Sequence, residues 1–136
     1  MKILIVDDDL VCRMLLQDIL APYGNCHTVV NGKEAVKAFN IARGKKEPYD
    51  LIFLDIMMPI MDGQETLKEI RRLEKEKNIA GLDQVKIIMV TALGDAKNIM
   101  ESFVKGQCEA YVTKPITVDG ILKQVRKLGL IDHEEE

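Results

Sequence analysis

A targeting or membrane signal is missing from the N-terminus. Met-Lys is followed by four apolar residues, Ile3 to Val6, and then by three aspartates. That is far short of a signal-peptide core or of the ~20 residues a membrane span requires. Cysteine is scarce: Cys12, Cys26 and Cys108 are odd in number, widely spaced and outside any Cys-x-x-Cys pattern. Neither a disulfide framework nor a zinc site is indicated, and a reducing cytoplasm is the expected compartment. Basic tracts are missing too, and a formal net charge of -3 argues against direct nucleic-acid binding, which uses a basic surface to displace counterions. No Gly-x-Gly-x-x-Gly or P-loop motif is present to cradle a nucleotide. Internal repeats and low-complexity linkers are likewise lacking.

What is there reads as one ordinary globular domain. The 136 residues, 47% hydrophobic and 30% charged, suffice for a continuous core. Compact apolar runs at Ile3 to Val6, Leu51 to Leu54, Val85 to Val90 and Ala110 to Val112 read as buried parallel strands. A fifth strand is expected at Cys26 to Val30, between a Tyr23-Gly24-Asn25 turn and an Asn31-Gly32 turn. Helical spacing is clearest in Val118, Ile121, Leu122, Val125 and Leu128. Shorter stripes occur at Ile99, Met100 and Phe103 and at Val11, Leu15 and Ile19. A helix is expected through Glu34 to Ala42, and another begins at Leu67 and Ile70. The charged run Arg71 to Lys77 reads as the solvated face of that last helix. Strand and helix alternate five times, which predicts a parallel sheet covered on both faces through right-handed crossovers. The domain is expected over residues 1–131, with 132–136 as a loose acidic tail.

In open parallel sheets ligands bind beyond the carboxyl ends of the strands. Those ends carry a coherent set here: Asp7, Asp8 and Asp9 after the first strand, Asp55 after the third, Thr91 after the fourth and Lys114 after the fifth. Clustered carboxylates repel one another unless a cation neutralises them. Mg2+ prefers hard oxygen ligands and is commonly held by one or two carboxylates together with phosphate oxygens. With Asp55 as nucleophile, phosphoryl transfer needs positioning and charge stabilisation above all. Thr91 can donate a hydrogen bond to one phosphoryl oxygen, and Lys114 can pair with another.

Ile-Val-Asp7-Asp8-Asp9, Leu54-Asp55-Ile56-Met57-Met58-Pro59, Met61-Asp62-Gly63, Val90-Thr91-Ala92 and Tyr111-Val112-Thr113-Lys114-Pro115 together resemble the receiver domains of two-component response regulators. Each motif alone is weak, but five in order across nearly the whole chain are not. The resemblance implies a flavodoxin-like (βα)5 three-layer sandwich with a parallel sheet of order 2-1-3-4-5. It implies Asp55 as phospho-acceptor, Asp8 as a direct Mg2+ ligand, Asp7 as a ligand through water, and the Met57 carbonyl as a third ligand. It also implies Thr91 and Tyr111 as switch residues, and Lys114 as the phosphate-pairing cation, in a Lys114-Pro115 bond that is often cis. The implied donor is a sensor histidine kinase or histidine phosphotransfer protein. Output would pass to an unknown protein target through the surface formed by the helix around Ile99 to Phe103, the fifth strand and the C-terminal helix. The chain would act as a monomer or weak dimer and as a switch rather than an enzyme.

Several residues fit plainer roles. Asp9 reads as a helix cap, Asp62 as the start of the third helix, His27 as a surface strand residue without a partner at ligand spacing, and Cys108 as a small buried side chain. Met57 and Leu93, each two residues beyond a site residue, flank the approach of a hydrolytic water and cannot orient it. An Asp55-based phosphatase is the competing reading, but Met57 stands where one such pattern would have an acid. A flavin or nucleotide module on the same architecture lacks its motifs.

Overall fold

The structure, a computed structural model, describes residues 1–92 and 108–132. Five parallel strands, β1 (Lys2–Val6), β2 (Asn25–Val29), β3 (Leu51–Asp55), β4 (Lys86–Thr91) and β5 (Ala110–Thr113), form one sheet in the order β2-β1-β3-β4-β5. Four helices are described: α1 (Leu10–Leu20), α2 (Gly32–Gly44), α3 (Gly63–Glu76) and α4 (Val118–Lys127). The flavodoxin-like three-layer sandwich expected from the sequence is the fold observed. The stripe at Ile99, Met100 and Phe103 lies outside the described residues, as do Leu93 and residues 133–136 of the expected tail. Among the described residues no helix is long and apolar enough to cross a membrane.

The three inner strands β1, β3 and β4 are apolar nearly throughout because successive side chains enter opposite layers and both layers are covered, whereas the edge strands β2 and β5 are partly exposed. Leu4, Val6, Ile52, Leu54, Ile87 and Met89 pack with Phe39 of α2 and with Leu67 and Ile70 of α3. Ile3, Ile5, Leu51, Phe53, Ile88 and Val90 pack with Leu16, Ile19 and Leu20 of α1 and with Ile121, Leu122 and Val125 of α4. In-register pairing, Val6 with Leu54 and Asp55 with Val90, brings the strand ends that carry polar residues to one edge of the sandwich.

Three local expectations need correction. The buried face of α1 is Leu16, Ile19 and Leu20, whereas Val11 is 70% exposed and Leu15 is also on the outside. Helix α1 is apolar nearly all round, so spacing alone could not choose its face. Strand β2 starts at Asn25 and leaves Val30 outside it, because Asn31 is the N-cap of α2, its side chain accepting from Glu34 N at 2.9 Å. His27 is an exposed residue of β2, as expected, and its Nδ1 lies 2.8 Å from the Tyr49 hydroxyl. The run Arg71 to Lys77 is not wholly solvated, for Glu74 is fully buried and Arg71 nearly so, an ion pair anchored to the backbone of Val85 just before β4.

Candidate functional site

The sequence dictates how each acid reaches the edge of the sheet. Strand β1 ends at Val6 and the chain turns at once into α1, with Asp9 as N-cap accepting from Val11 N at 3.0 Å. Asp9 is therefore committed to the helix, as expected. Its carboxyl is held below the usual range by hydrogen bonds from the Cys12 thiol and the Val11 amide. The same turn folds Asp7 inward, where its Oδ1 accepts from Asp9 N at 2.9 Å and its carbonyl from Arg13 Nη1 at 2.8 Å. Arg13 was not singled out in the sequence; lying one helical turn beyond Asp9 was its only signal.

Asp55, the last residue of β3, is 3% exposed. Beyond it the loop returns through Asp62, which caps α3 by accepting from Glu65 N at 2.9 Å. Gly63 donates its N–H to the Ile56 carbonyl at 2.8 Å, and a Cβ at this position would collide with the Asp55 carbonyl oxygen. Only glycine lets α3 begin directly against the strand that carries Asp55. Nothing in the motif alone reveals that contact.

Thr91 ends β4 fully buried, its hydroxyl 3.4 Å from the Ala92 carbonyl. The Lys114 amide donates to the Thr91 carbonyl at 2.8 Å, which continues the β4–β5 ladder to the site. The Lys114-Pro115 peptide is cis. Lys114 Nζ then lies 3.4 Å from Asp7 Oδ2 and 3.5 Å from Asp55 Oδ2. The Met57 amide is 3.4 Å from Asp55 Oδ1, a long contact, and the Met57 side chain is largely exposed. Tyr111 sits opposite Met89 on β5, with 40% of its surface exposed.

Carboxylate oxygens of Asp7, Asp8 and Asp55 all fall within 4.8 Å of one another, with Asp8 exposed and the other two buried. Burial, and then the charge of Asp7, push the Asp55 carboxyl up to about 7 against the opposing pull of Lys114. Burial works against the Lys114 charge as well, but Asp55 and Asp7 outweigh it and raise its pKa. Burial first and the Asp9 hydrogen bond second push the nearby Cys12 thiol up to about 11, so it is no nucleophile. Asp7 Oδ2 is buried without a hydrogen bond; Lys114 reaches it only at ion-pair distance. One ammonium thus faces three carboxylates, and the orphaned oxygen and hard donor set suit a small divalent cation.

The structure brings Asp7, Asp8, Asp55 and Lys114 together, with Thr91 and Met57 at the borders and Tyr111 facing outward. Known proteins resemble the chain as a whole. The family model of the response regulator receiver domain matches residues 3–126. The chemotaxis protein CheY of Bacillus subtilis is 34% identical over 130 residues, covering 93% of this chain and 95% of that protein. The CheY of Borrelia burgdorferi, in complex with CheX, BeF3 and Mg2+, superposes with a TM-score of 0.78 at 27% identity, over 94% of this chain and 88% of that one. The response regulator TrrA of Thermotoga maritima, in complex with Mg2+ and BeF, gives 0.71 at 34% identity, over 93% and 97%.

Proposed function

Because this chain belongs to the response regulator receiver family of two-component signalling, we propose that Asp55 accepts a phosphoryl group and that the modified site changes what the protein binds. The family is a signalling module rather than a classical enzyme, which fits a site that stores a group instead of turning it over. The observation that carries the reading is the buried Asp55 carboxylate, set among Asp7, Asp8 and Lys114.

In the transfer, the P–N bond of a phosphohistidine on a sensor kinase or phosphotransfer protein breaks as an Asp55 oxygen–phosphorus bond forms. The imidazole leaves with the electron pair and Asp55 becomes a mixed anhydride. Asp7, Asp8, Asp55 and the Met57 carbonyl would hold Mg2+, which supplies the positive charge that in-line phosphoryl transfer needs. Mg2+ in complexes of the Borrelia and Thermotoga relatives supports this assignment. Lys114 pairs with one phosphoryl oxygen and the Thr91 hydroxyl donates to another.

Drawing Thr91 toward the phosphoryl group empties space beside β5, and the exposed Tyr111 ring turns into it. The new charge of roughly -1.5 to -2 biases that two-state element. Output passes to a protein target over the face that includes β5 and α4. The functional unit spans residues 1–131, acts as monomer or weak dimer, and makes no direct nucleic-acid contact.

Intact mass after incubation with Mg2+ and a small phosphodonor tests the central step. The expected result is one base-labile phosphoryl adduct on the wild type and none on Asp55→Asn. No adduct, or equal adducts on both, would overturn the assignment, and multiple turnover of a phosphate ester would favour a phosphatase.

A further inference from the structure

A second charged cluster lies at the opposite, amino-terminal end of the sheet. Arg71, in the third turn of α3, is 10% exposed at its side chain and Glu74 is 0% exposed. Arg71 Nη1 donates to Glu74 Oε1 at 2.6 Å and to the Val85 carbonyl at 2.9 Å. Its Nη2 forks across both oxygens of Glu109 at 3.0 Å each. Glu74 Oε2 accepts from Val85 N at 2.8 Å, and Glu109 Oε2 accepts from Ile87 N at 2.6 Å. The Glu109 amide in turn donates to the Ile87 carbonyl at 3.0 Å. One guanidinium therefore ties α3, the chain running into β4 and the residue before β5 into a single unit.

Strand β5 needs such a device. It has four residues, stands at the edge of the sheet and pairs with β4 alone. Short edge strands are weakly specified in register, and a slip of two residues would keep Ala110 and Val112 pointing the same way. That slip would move Lys114 by about 6–7 Å along the strand, away from Asp55 and Asp7. Only the observed register places Glu109 in the Arg71 fork at one end and Lys114 N on the Thr91 carbonyl at the other. Burying the Arg71–Glu74 pair, with Glu109 24% exposed at its rim, adds little stability over apolar residues of the same volume, whereas fixing a register is the best-attested use of buried polar groups.

We propose that Arg71, Glu74 and Glu109 are positioning residues, a clamp that sets the register of β5 and so delivers Lys114 and Tyr111 to the phospho-acceptor site. The link to phosphorylation rests on the function proposed above; the register claim stands without it. None of the three touches the reacting atoms.

Replacing Arg71 alone would leave the Glu74 charge buried and unpaired, so the informative variants are Glu109→Ala and the apolar double replacement Arg71→Met with Glu74→Leu. Amide hydrogen exchange of the full chain, read residue by residue, compares β5 with β1 and β3. The expected result is exchange in β5 faster by about tenfold or more, the scale of a lost charge-assisted hydrogen bond, with β1 and β3 unchanged. With a small phosphodonor, the maximal rate of adduct formation on Asp55 should fall by a similar factor. The Mg2+ concentration giving half that rate should hold, since the acids are untouched. Unchanged β5 protection in both variants, or an equal loss of protection across the whole sheet, would overturn the clamp. If the double replacement fails to fold, Glu109→Ala decides between the same outcomes. A wild type that takes no phosphoryl group would sink the proposed function, while the exchange comparison would still judge the clamp.

Discussion

The Lys114 ammonium stands 3.5 Å from Asp55 Oδ2, and it is shared, since Asp7 Oδ2 is as near at 3.4 Å. A cation divided between two buried carboxylates stabilises the empty site only in part. Removing it, as in Lys114→Gln, leaves both acids without a counter-charge. Chemical denaturation at pH 8 without divalent ions should show a loss of roughly 1–3 kcal/mol, and Mg2+ should recover much of it. A variant as stable as the wild type under both conditions would mean that the pair contributes nothing to holding the acids together.

The raised Asp55 pKa has a defined consequence for stability. The folded protein keeps this proton up to about 7, while the unfolded chain releases it near the ordinary 3.8. Below 3.8 both states are protonated and the group contributes its full favourable share; that share is lost as pH climbs through the window to 7. Relative to Asp55→Asn, the wild type should match in stability near pH 4 and fall behind by about 2–4 kcal/mol at pH 8. Adding Mg2+ should close much of the gap at pH 8. Melts of the two proteins across that range check the slope, and a gap that widens toward low pH would reverse the sign.

Asp8 and Asp9 are neighbours with separate tasks. Asp9 caps α1, so Asp9→Ala should cost about 0.5–2 kcal/mol and leave Mg2+ affinity nearly intact. Asp8 is exposed, so Asp8→Ala should barely change stability and should weaken Mg2+ binding by tenfold or more, on the order of one lost carboxylate ligand. Calorimetric titration beside urea melts separates them. The same loss of metal affinity in both variants would show that the division is wrong.

The inner strands β1, β3 and β4 are legible in the sequence because burial on both faces makes them continuous apolar runs, and Asp7, Asp8 and Asp55 are legible because they follow or end those runs. Where reading failed, partners distant along the chain made the choice. Glu74 reads as solvated among charged neighbours, yet the Arg71 guanidinium and the Val85 amide make its burial tolerable. The face of α1 was misjudged because Val11 and Leu15 are as apolar as Leu16 and Leu20; the sheet selects between them. Gly63 was quoted as part of a motif, but its steric reason, the Asp55 carbonyl, exists only in the folded loop.

The lifetime of the phosphorylated state should be set at Met57. Its side chain is 67% exposed and follows Asp55 by two positions, where it would border the path of a water attacking phosphorus on Asp55. A thioether neither donates a useful hydrogen bond nor takes a proton, so the water is crowded but not oriented. An amide in its place could hold that water. Met57→Asn should therefore raise the hydrolysis rate several-fold. Following loss of the Asp55 adduct by intact mass after the donor is removed gives the rate directly. Hydrolysis unchanged or slower in Met57→Asn would show that access of water is governed elsewhere.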